Sequence, residues 1–342
     1  MTSAYAFFRL PHTDRYTAVE GEAVTFQDLG QLDGQQGFVI APFQVTADQP
    51  VVLIRPDRCT LHAVQPAEDL RQQPAVDVPS VSADYHTDFV RFHEQLVSGT
   101  FRKIVLARSA EEELPDGVTP EMLFQRACAC YPRLFVALVY TPQTGLWLTA
   151  TPEILLDGCR EQWRTIALAG TMQLTPQQLS GEGETVCWNT KNIQEQRLVA
   201  TYIAERLESV ATDIHEEGPR TVRAANLVHL RSDFTFRLDD STHLGQLLTR
   251  LHPTPAVCGL PKDATFRFIV DNEHTPRRYY SGFMGMLHPD GETHLYVSLR
   301  CMNIVGNSCW LYAGGGLLKD SQEELEWQET EAKLQTMRRL IK

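Results

Sequence analysis

Hydrophobic residues spaced three and four positions apart predict helices in several parts of the chain. The segment 84–99, DYHTDFVRFHEQLVSG, has this spacing and ends at Gly99. A further helix is predicted at 321–341, SQEELEWQETEAKLQTMRRLI, where Ser321 and Glu324 form a capping box. The segment 191–210 carries its apolar residues on one helical face, and they are Leu198, Val199, Tyr202, Ile203, Leu207 and Val210.

Runs rich in β-branched and aromatic residues predict strands. These runs are 23–29, 37–43, 51–56, 103–109, 134–141, 145–156, 294–305 and 308–315. The stretch 72–84, QQPAVDVPSVSAD, is rich in proline and serine and predicts a connection. Because short turns join many strands and helices are interleaved with them, the pattern predicts an α+β sandwich in place of a doubly wound parallel sheet.

Composition and charge narrow the class of protein. With 342 residues, 43% hydrophobic and 22% charged, the chain has the make-up of a globular protein. Its net charge of -12 argues against a nucleic-acid partner. The first residues, MTSAYAFFRL, do not resemble a signal peptide, and no apolar run is long enough to cross a membrane. The eight cysteines form no CxxC pair or zinc pattern, so we expect a reducing, cytoplasmic setting.

Carboxylates and a lysine share one face of the last predicted helix. Glu326, Glu329 and Lys333 are spaced i, i+3 and i+7. A solvated face with a Glu329–Lys333 pair worth about 0.2–0.5 kcal/mol explains this spacing without any function. The run 311–318, LYAGGGLL, precedes this helix, and its glycines allow backbone N–H groups to approach an anion.

Glu195 lies in the first turn of the helix predicted from residue 191, where the helix dipole favours a carboxylate. A purely structural role is therefore one interpretation. If Glu195 instead faces Glu329 across a cleft, the two carboxylates repel each other unless a divalent cation lies between them. Carboxylate oxygens suit magnesium, which completes its coordination with water and substrate oxygens.

Lys103, Glu153 and Arg300 are charged residues in otherwise apolar strand segments. A lysine at a sheet edge is one explanation of Lys103, and a base in a cleft of low dielectric is the other. Glu153 follows Pro152 between apolar runs, and burial there favours the protonated carboxyl, which can act as an acid. Arg300 needs a partner, either a structural acid or a bound carboxylate.

Taken together, these residues resemble the chorismate-utilising enzymes, specifically the isochorismate synthases of menaquinone and siderophore biosynthesis. The resemblance covers about residues 100 to 340. Its matching segments, in the order of the family, are 103–108 (KIVLAR), 151–155 (TPEIL), 167–171 (ALAGT), 191–195 (KNIQE), 251–261 (LHPTPAVCGLP), 280–285 (YSGFMG), 298–300 (SLR), 312–316 (YAGGG) and 326–330 (EWQET).

The resemblance implies an α+β sandwich with two large, mainly antiparallel sheets, helices packed outside and an active site in the cleft between. Residues 1–80 would form an N-terminal scaffold part and 81–342 the chorismate-binding catalytic region of one joined domain. Lys103 would be the general base and Glu153 the general acid. Glu195 and Glu329 would bind Mg²⁺, with Glu326 near the ion through water. The implied substrate-binding residues are Gly170, Thr171, His252, Ala256, Arg300, Gly314 and Lys333.

Isochorismate synthase, reversible and Mg²⁺-dependent, is the expected activity, and menaquinone biosynthesis is the expected pathway. A salicylate synthase shares the base and acid but also eliminates pyruvate, and a siderophore-pathway enzyme shares the chemistry. Anthranilate synthase components use ammonia and a glutaminase subunit, and the setting of Lys103 argues against them. A scaffold protein that had lost the chemistry would lack one of the four residues Lys103, Glu153, Glu195 and Glu329. We expect a monomer without a glutaminase, nucleic-acid or membrane partner.

Overall fold

The computed structural model describes residues 4–65, 78–173, 187–224 and 227–341. Its strands are β1 (Ala4–Arg9), β2 (Arg15–Phe26), β3 (Gly37–Ala41), β4 (Val51–Ala63), β5 (Lys103–Glu113), β6 (Phe135–Thr141), β7 (Gly145–Thr151), β8 (Ile154–Cys159), β9 (Gln162–Gln173), β10 (Thr212–Ala224), β11 (Leu227–Arg237), β12 (Gly259–Leu260), β13 (Phe283–Leu287), β14 (Thr293–Val297), β15 (Cys301–Val305) and β16 (Ser308–Leu317). Its helices are α1 (Ala83–Val97), α2 (Pro120–Cys130), α3 (Thr190–Leu207), α4 (Leu244–Leu251), α5 (Lys262–Asn272) and α6 (Glu323–Ile341).

The predicted α+β class is confirmed, and the strands form one sheet. Hydrogen bonds join them in the order β10-β11-β9-β8-β14-β13-β3-β4-β2-β1-β6-β7-β15-β16-β5-β12. Neighbours in this order are antiparallel, as short turns between strands favour. Two large sheets were expected, but the strands form one continuous sheet with two halves. The halves are connected by β1 to β4 of the N-terminal part, which lie in the middle of the strand order.

The two halves of the sheet pack face to face through alternating side chains. On β6, Phe135 and Ala137 lie in the central core, whereas Val136 and Leu138 point outward to a cluster with α2 and α6. On β9, Ile166 lies in the central core. This period of two is the geometry of a strand buried on both faces, and it places β9 opposite the strands of the second half.

The helices cover the outer faces, as predicted. Helices α3 and α4 pack on the first half of the sheet, and α2 and α6 pack on the second. Helix α3 begins at an Asn189 cap, whose side chain accepts a 2.8 Å hydrogen bond from the amide of Asn192. The predicted Ser321 capping box is wrong, because the Ser321 hydroxyl accepts from the Leu318 amide at 3.0 Å and α6 begins two residues later.

Two of the predicted strand runs are each broken into two strands. The run 145–156 is interrupted between β7 and β8, at Pro152 and Glu153, where proline offers no backbone donor. The run 294–305 is interrupted between β14 and β15, where Arg300 has a φ of 47°. Both breaks therefore place a charged residue at the end of a strand, facing the space between the halves. Within the described ranges, no helix is long and apolar enough to span a membrane.

Candidate active site

A cavity lies where β9 and α3 of the first half meet β5, β16 and α6 of the second. It brings together many of the residues singled out from the sequence. Those that line it are Glu153, Thr171, Glu195, Ala256, Arg300, Gly314 and Lys333. Because these residues come from both halves of the sheet, the cavity corresponds to the predicted cleft.

Lys103 is the first residue of β5, and its side chain is completely buried. The short strand β12 pairs with the start of β5, where Leu260 lies opposite Lys103. Its Nζ lies 3.2 Å from Glu195 Oε1 and donates a hydrogen bond to the carbonyl of Pro255. The structure therefore excludes an exposed edge lysine and places the amine next to Glu195, a residue of the cavity wall.

Glu195 reaches the same wall from the first half of the molecule. Its Oε2 accepts a 3.2 Å hydrogen bond from the amide of Gly170 on β9. Burial on its own would raise the pKa of Glu195, but the positive charges of Lys103, Lys191 and Lys333 hold it below its usual range. The carboxylate is therefore an anion in a buried place.

Gly316 provides the space in which Lys103 and Glu195 meet. A Cβ atom at this position would lie 2.0 Å from Glu195 Oε1 and 3.0 Å from Lys103 Cε. Real Cβ atoms do not approach other atoms so closely, so any side chain here would displace the pair. The glycine run of β16 thus has a steric role that the sequence alone did not reveal.

Glu153 lies between β7 and β8 and is only 2% exposed. Its carbonyl accepts a 2.9 Å hydrogen bond from Val297, which fixes the backbone beside β14. Burial raises the pKa of its carboxyl group to about 8, although the positive charges of Lys103, Arg300 and Lys333 oppose the change. At neutral pH the group is therefore protonated and can donate a proton into the cavity.

Arg300 and His229 form a contact that the sequence did not predict. Arg300 Nη2 lies 2.5 Å from His229 Nε2. Since a guanidinium group only donates, Nε2 is unprotonated, and burial followed by the charge of Arg300 lowers the pKa of His229 well below its usual range. Arg300 Nη1 is buried without a partner among the described residues. It is thus a free donor for an anion.

His229 was missed because a lone histidine in the run LVHLRSDFTF on β11 has no motif of its own. Its position does carry a signal. It lies between the buried residues Val228 and Leu230 in a strand, and a polar residue in such a place requires a partner. That partner, Arg300, is distant in the chain and becomes evident only in the fold.

The predicted acidic residues of helix α6 pair with lysines, and Lys333 is the residue of this set that lines the cavity. Glu326 pairs with Lys191 from the start of α3, and Glu329 Oε1 lies 2.8 Å from Lys333 Nζ. Lys333 also donates a 2.8 Å hydrogen bond to the carbonyl of Gly314. Burial and the charge of Glu329 raise the pKa of Glu326 to about 7, against the opposing charge of Lys191.

This acidic set fits a cation that has other ligands as well. Glu326 Oε2 is buried and without a hydrogen-bond partner among the described residues, and Glu329 repels it. Among the residues that the structure describes, no group of three or more His, Cys, Asp or Glu side chains is arranged to hold a metal ion. Such a set suits magnesium, which commonly takes one or two carboxylates and completes its shell with water and substrate oxygens.

The structure does not bring His252 to the cavity. Its ring packs against Phe283, with 5.2 Å between the ring centroids, and its Nε2 lies 3.2 Å from the carbonyl of Pro42. Burial lowers its pKa to about 3, so the imidazole is neutral. Ala256, in the same predicted segment, does line the cavity.

The chain matches the model of the chorismate binding enzyme family over residues 57–342. It is 29% identical over 238 residues to the isochorismate synthase EntC of Escherichia coli, covering 69% of this chain and 61% of that protein. It is 30% identical over 269 residues to the isochorismate synthase DhbC of Bacillus subtilis, covering 75% and 67%. The chain thus spans a little under two thirds of the length of EntC.

Solved structures share the fold over the full chain. The menaquinone-specific isochorismate synthase MenF of Escherichia coli superposes with a TM-score of 0.81 at 23% identity, covering 99% of this chain and 89% of that one. A DhbC protein of Bacillus anthracis superposes with a TM-score of 0.83 at 22% identity, covering 100% and 97%. With a family model matched over most of its length, the chain belongs to the chorismate binding enzymes.

Proposed function

We propose that this protein is an isochorismate synthase, which converts chorismate reversibly to isochorismate with Mg²⁺. The observation that carries the proposal is a protonated carboxyl group, Glu153, in the lining of a cavity whose wall residue Glu195 contacts the buried amine of Lys103. The isomerisation needs this combination, because one hydroxyl group is added to the ring and another leaves it. The names of the relatives EntC, MenF and DhbC agree with this activity.

Lys103 is proposed as the general base. Its Nζ, held by the Pro255 carbonyl and Glu195, accepts a proton from a water molecule as the water oxygen bonds to C2 of chorismate. An amine must be neutral to accept this proton, so the Lys103 ammonium group that pairs with Glu195 releases its own proton before the water attacks. The two ring double bonds shift as the new C–O bond forms, so electron density moves toward C4.

Glu153 is proposed as the general acid. Its carboxyl group gives a proton to the C4 oxygen as the C4–O bond breaks, so the oxygen leaves as water. The pKa of about 8 keeps this proton available at neutral pH. In the reverse direction, the same two groups exchange roles, which is what a reversible reaction requires.

The anionic substrate is proposed to be held by the basic residues of the cavity. Arg300 has a buried Nη1 without a hydrogen-bond partner among the described residues, and Lys333 lines the same cavity. The small residues Ala256 and Gly314 leave room for the ring beside these two cations, with Gly170 and Thr171 on β9 completing the proposed pocket. The positive charges of Arg300 and Lys333, already in place in the cavity, offset the net negative charge of the protein and favour an anionic substrate.

Magnesium is proposed to bind at Glu195 and Glu329, with Glu326 nearby through water. When bound, the ion would supply positive charge to the ring carboxylate of chorismate. The buried, unpartnered Glu326 Oε2 supports this assignment. Removing the metal with excess chelator should abolish turnover, and turnover that persists undiminished would contradict the proposed ligands.

The cellular setting is proposed to be the cytoplasm, since all eight cysteines are free thiols. We also propose that the enzyme acts as a monomer without a glutaminase subunit and that its product enters menaquinone biosynthesis. Deleting the gene in the native host should then lower menaquinone. A loss confined to catecholate siderophores would contradict that pathway.

The activity is tested by incubating purified protein with chorismate and Mg²⁺ and separating the products by chromatography. Isochorismate as the main product supports the proposal. Salicylate together with pyruvate would identify a salicylate synthase, and unchanged chorismate would contradict any role in this reaction. Light scattering on the same preparation gives the oligomeric state.

A further inference from the structure

The edge of β5 beyond the short strand β12 is closed by a loop carbonyl and by the side chains of Glu273 and Arg277. Strand β12 pairs with β5 only at Lys103 and Ile104. At the next positions, Val105 donates its amide to the carbonyl of Cys258 at 2.7 Å, and the amide of Ala107 donates to Glu273 Oε1 at 2.8 Å. Backbone groups at a buried sheet edge need such partners, so Glu273 substitutes here for a strand.

Arg277 completes the closure and binds two separate stretches of backbone. Its Nη2 donates to the carbonyl of Val105 at 2.8 Å, and its Nη1 donates to the carbonyl of Val257 at 2.7 Å. Its Nε and Nη2 also bind both oxygens of Glu273, at 2.6 and 2.7 Å. The side chains of Arg277 and Glu273 are 3% and 2% exposed, so water does not compete for these bonds.

The two stretches are those that carry Lys103 and its hydrogen-bond acceptor. Val105 lies two residues after Lys103, and Val257 lies two residues after Pro255, whose carbonyl accepts from Lys103 Nζ. The guanidinium group therefore sets the separation between the strand that carries the amine and the loop that holds it. Neither Arg277 nor Glu273 is among the residues that line the cavity.

We propose that Arg277 and Glu273 are positioning residues that hold Lys103 Nζ in its working place through Val105 and Val257. The inference rests on the proposed role of Lys103 as the base. The planar guanidinium binds a carboxylate and two carbonyls at fixed angles, which an ammonium group does not reproduce. Displacing a reacting group by about 1 Å is enough to cost about 100-fold in rate.

The test compares Arg277→Lys with Arg9→Lys. Arg9 is a matched control because it is also a buried arginine that donates to backbone carbonyls, those of Leu10, Cys128, Tyr131 and Pro132, at 3.2, 3.5, 2.6 and 2.7 Å. It does not line the cavity. Chorismate consumption is measured, whichever product forms, and kcat is divided by the folded fraction from circular dichroism.

Arg277→Lys should lower the corrected kcat about 100-fold and change KM less than about threefold, since the substrate contacts remain. Arg9→Lys should lower stability while leaving the corrected kcat unchanged. Equal corrected kcat values for the two variants would overturn the proposal. If the wild type consumes no chorismate, the proposed function fails instead, so the two failures are distinguishable.

A second variant covers the case in which Arg277→Lys does not fold. Arg277→Met combined with Glu273→Gln removes both charges, and a buried ion pair can be replaced in this way without leaving a lone charge. The corrected kcat of the folded double variant should again fall about 100-fold. Wild-type kcat in this variant would overturn the proposal.

Discussion

Glu153 and Glu195 are buried glutamates that line one cavity, yet their carboxyl groups are held in opposite states. Burial raises the pKa of Glu153 to about 8. Burial acts on Glu195 as well, but Lys103 at 3.2 Å and two further lysines lower its pKa below the usual range. Burial alone therefore does not assign a role, and the direct ion pair with Lys103 is what keeps Glu195 an anion.

Removing the cation Lys103 should have the largest effect on kcat. Lys103→Met deletes the proposed base and also the ion-pair partner of Glu195, so kcat should fall about 1,000-fold or more. Steady-state chorismate consumption measures this. Lys262→Met is the control, because Lys262 donates to the carbonyl of His252 at 2.7 Å and lies outside the cavity. Near-normal turnover in Lys103→Met would show that Lys103 is not the general base.

Removing the acidic proton of Glu153 should have the next largest effect on kcat. Glu153→Gln keeps the size of the side chain but has no acidic proton, so kcat should fall about 100-fold or more. Glu331→Gln serves as control, since Glu331 is 3% exposed and pairs with Arg108 away from the cavity. If both variants lose the same activity per folded molecule, Glu153 is not the acid.

The raised pKa of Glu153 also predicts how stability changes with pH. The folded state holds this proton more tightly than the unfolded chain does, where a glutamate has a pKa of about 4.3. The contribution to the free energy of unfolding is complete below that value and is lost as the pH rises through about 8. Urea unfolding should therefore show wild type losing more stability than Glu153→Gln between about pH 5 and pH 9. Parallel curves would contradict the shift.

Filling the space between Lys103 and Glu195 should disturb the anion without changing either charge. In Gly316→Ala the new Cβ meets Glu195 Oε1, so kcat should fall about tenfold. Gly30→Ala is the control, because the nearest atom to its Cβ is Asp28 Oδ1 at 3.1 Å on the surface. Unchanged kcat in Gly316→Ala would mean that the pair tolerates displacement.

The smallest effect on activity is expected for a substitution of His252. Its ring lies outside the cavity, with Nε2 beside the carbonyl of Pro42. His252→Asn should lower the free energy of unfolding by about 1 kcal/mol, as loss of a buried contact does. It should leave kcat and KM within about twofold of wild type. A large rise in KM would restore the substrate-binding role implied by the sequence.

Local pattern predicted part of the elements of the fold, and it predicted their long-range order poorly. The apolar face of α3 and the strands β5 to β8 and β14 to β16 follow from periodicity, whereas β9 to β13 were not predicted. The single ladder does not, because β1 to β4 join its halves through pairings between distant segments. Periodicity also could not foresee the two breaks that place Glu153 and Arg300 at strand ends.

The site was predicted mainly through its resemblance to a family. Taken one by one, Lys103 and Glu195 had ordinary structural explanations, a sheet edge and a helix start. His229, Lys191 and Arg277 were not predicted as site residues, because each acts through a partner far away in the chain. A position inside a matching segment does not specify the direction of a side chain, and the His252 ring packs outside the cavity.

The most direct test is to observe the two carboxyl groups by difference infrared spectroscopy at pH 7. The wild type minus Glu153→Gln spectrum should contain the C=O band of a protonated carboxylic acid, and this band should disappear as the pH rises through about 8. The wild type minus Glu195→Gln spectrum should contain positive carboxylate bands and no C=O band of a protonated carboxylic acid. A protonated band at Glu195, or its absence at Glu153, would contradict the assignment of acid and anion.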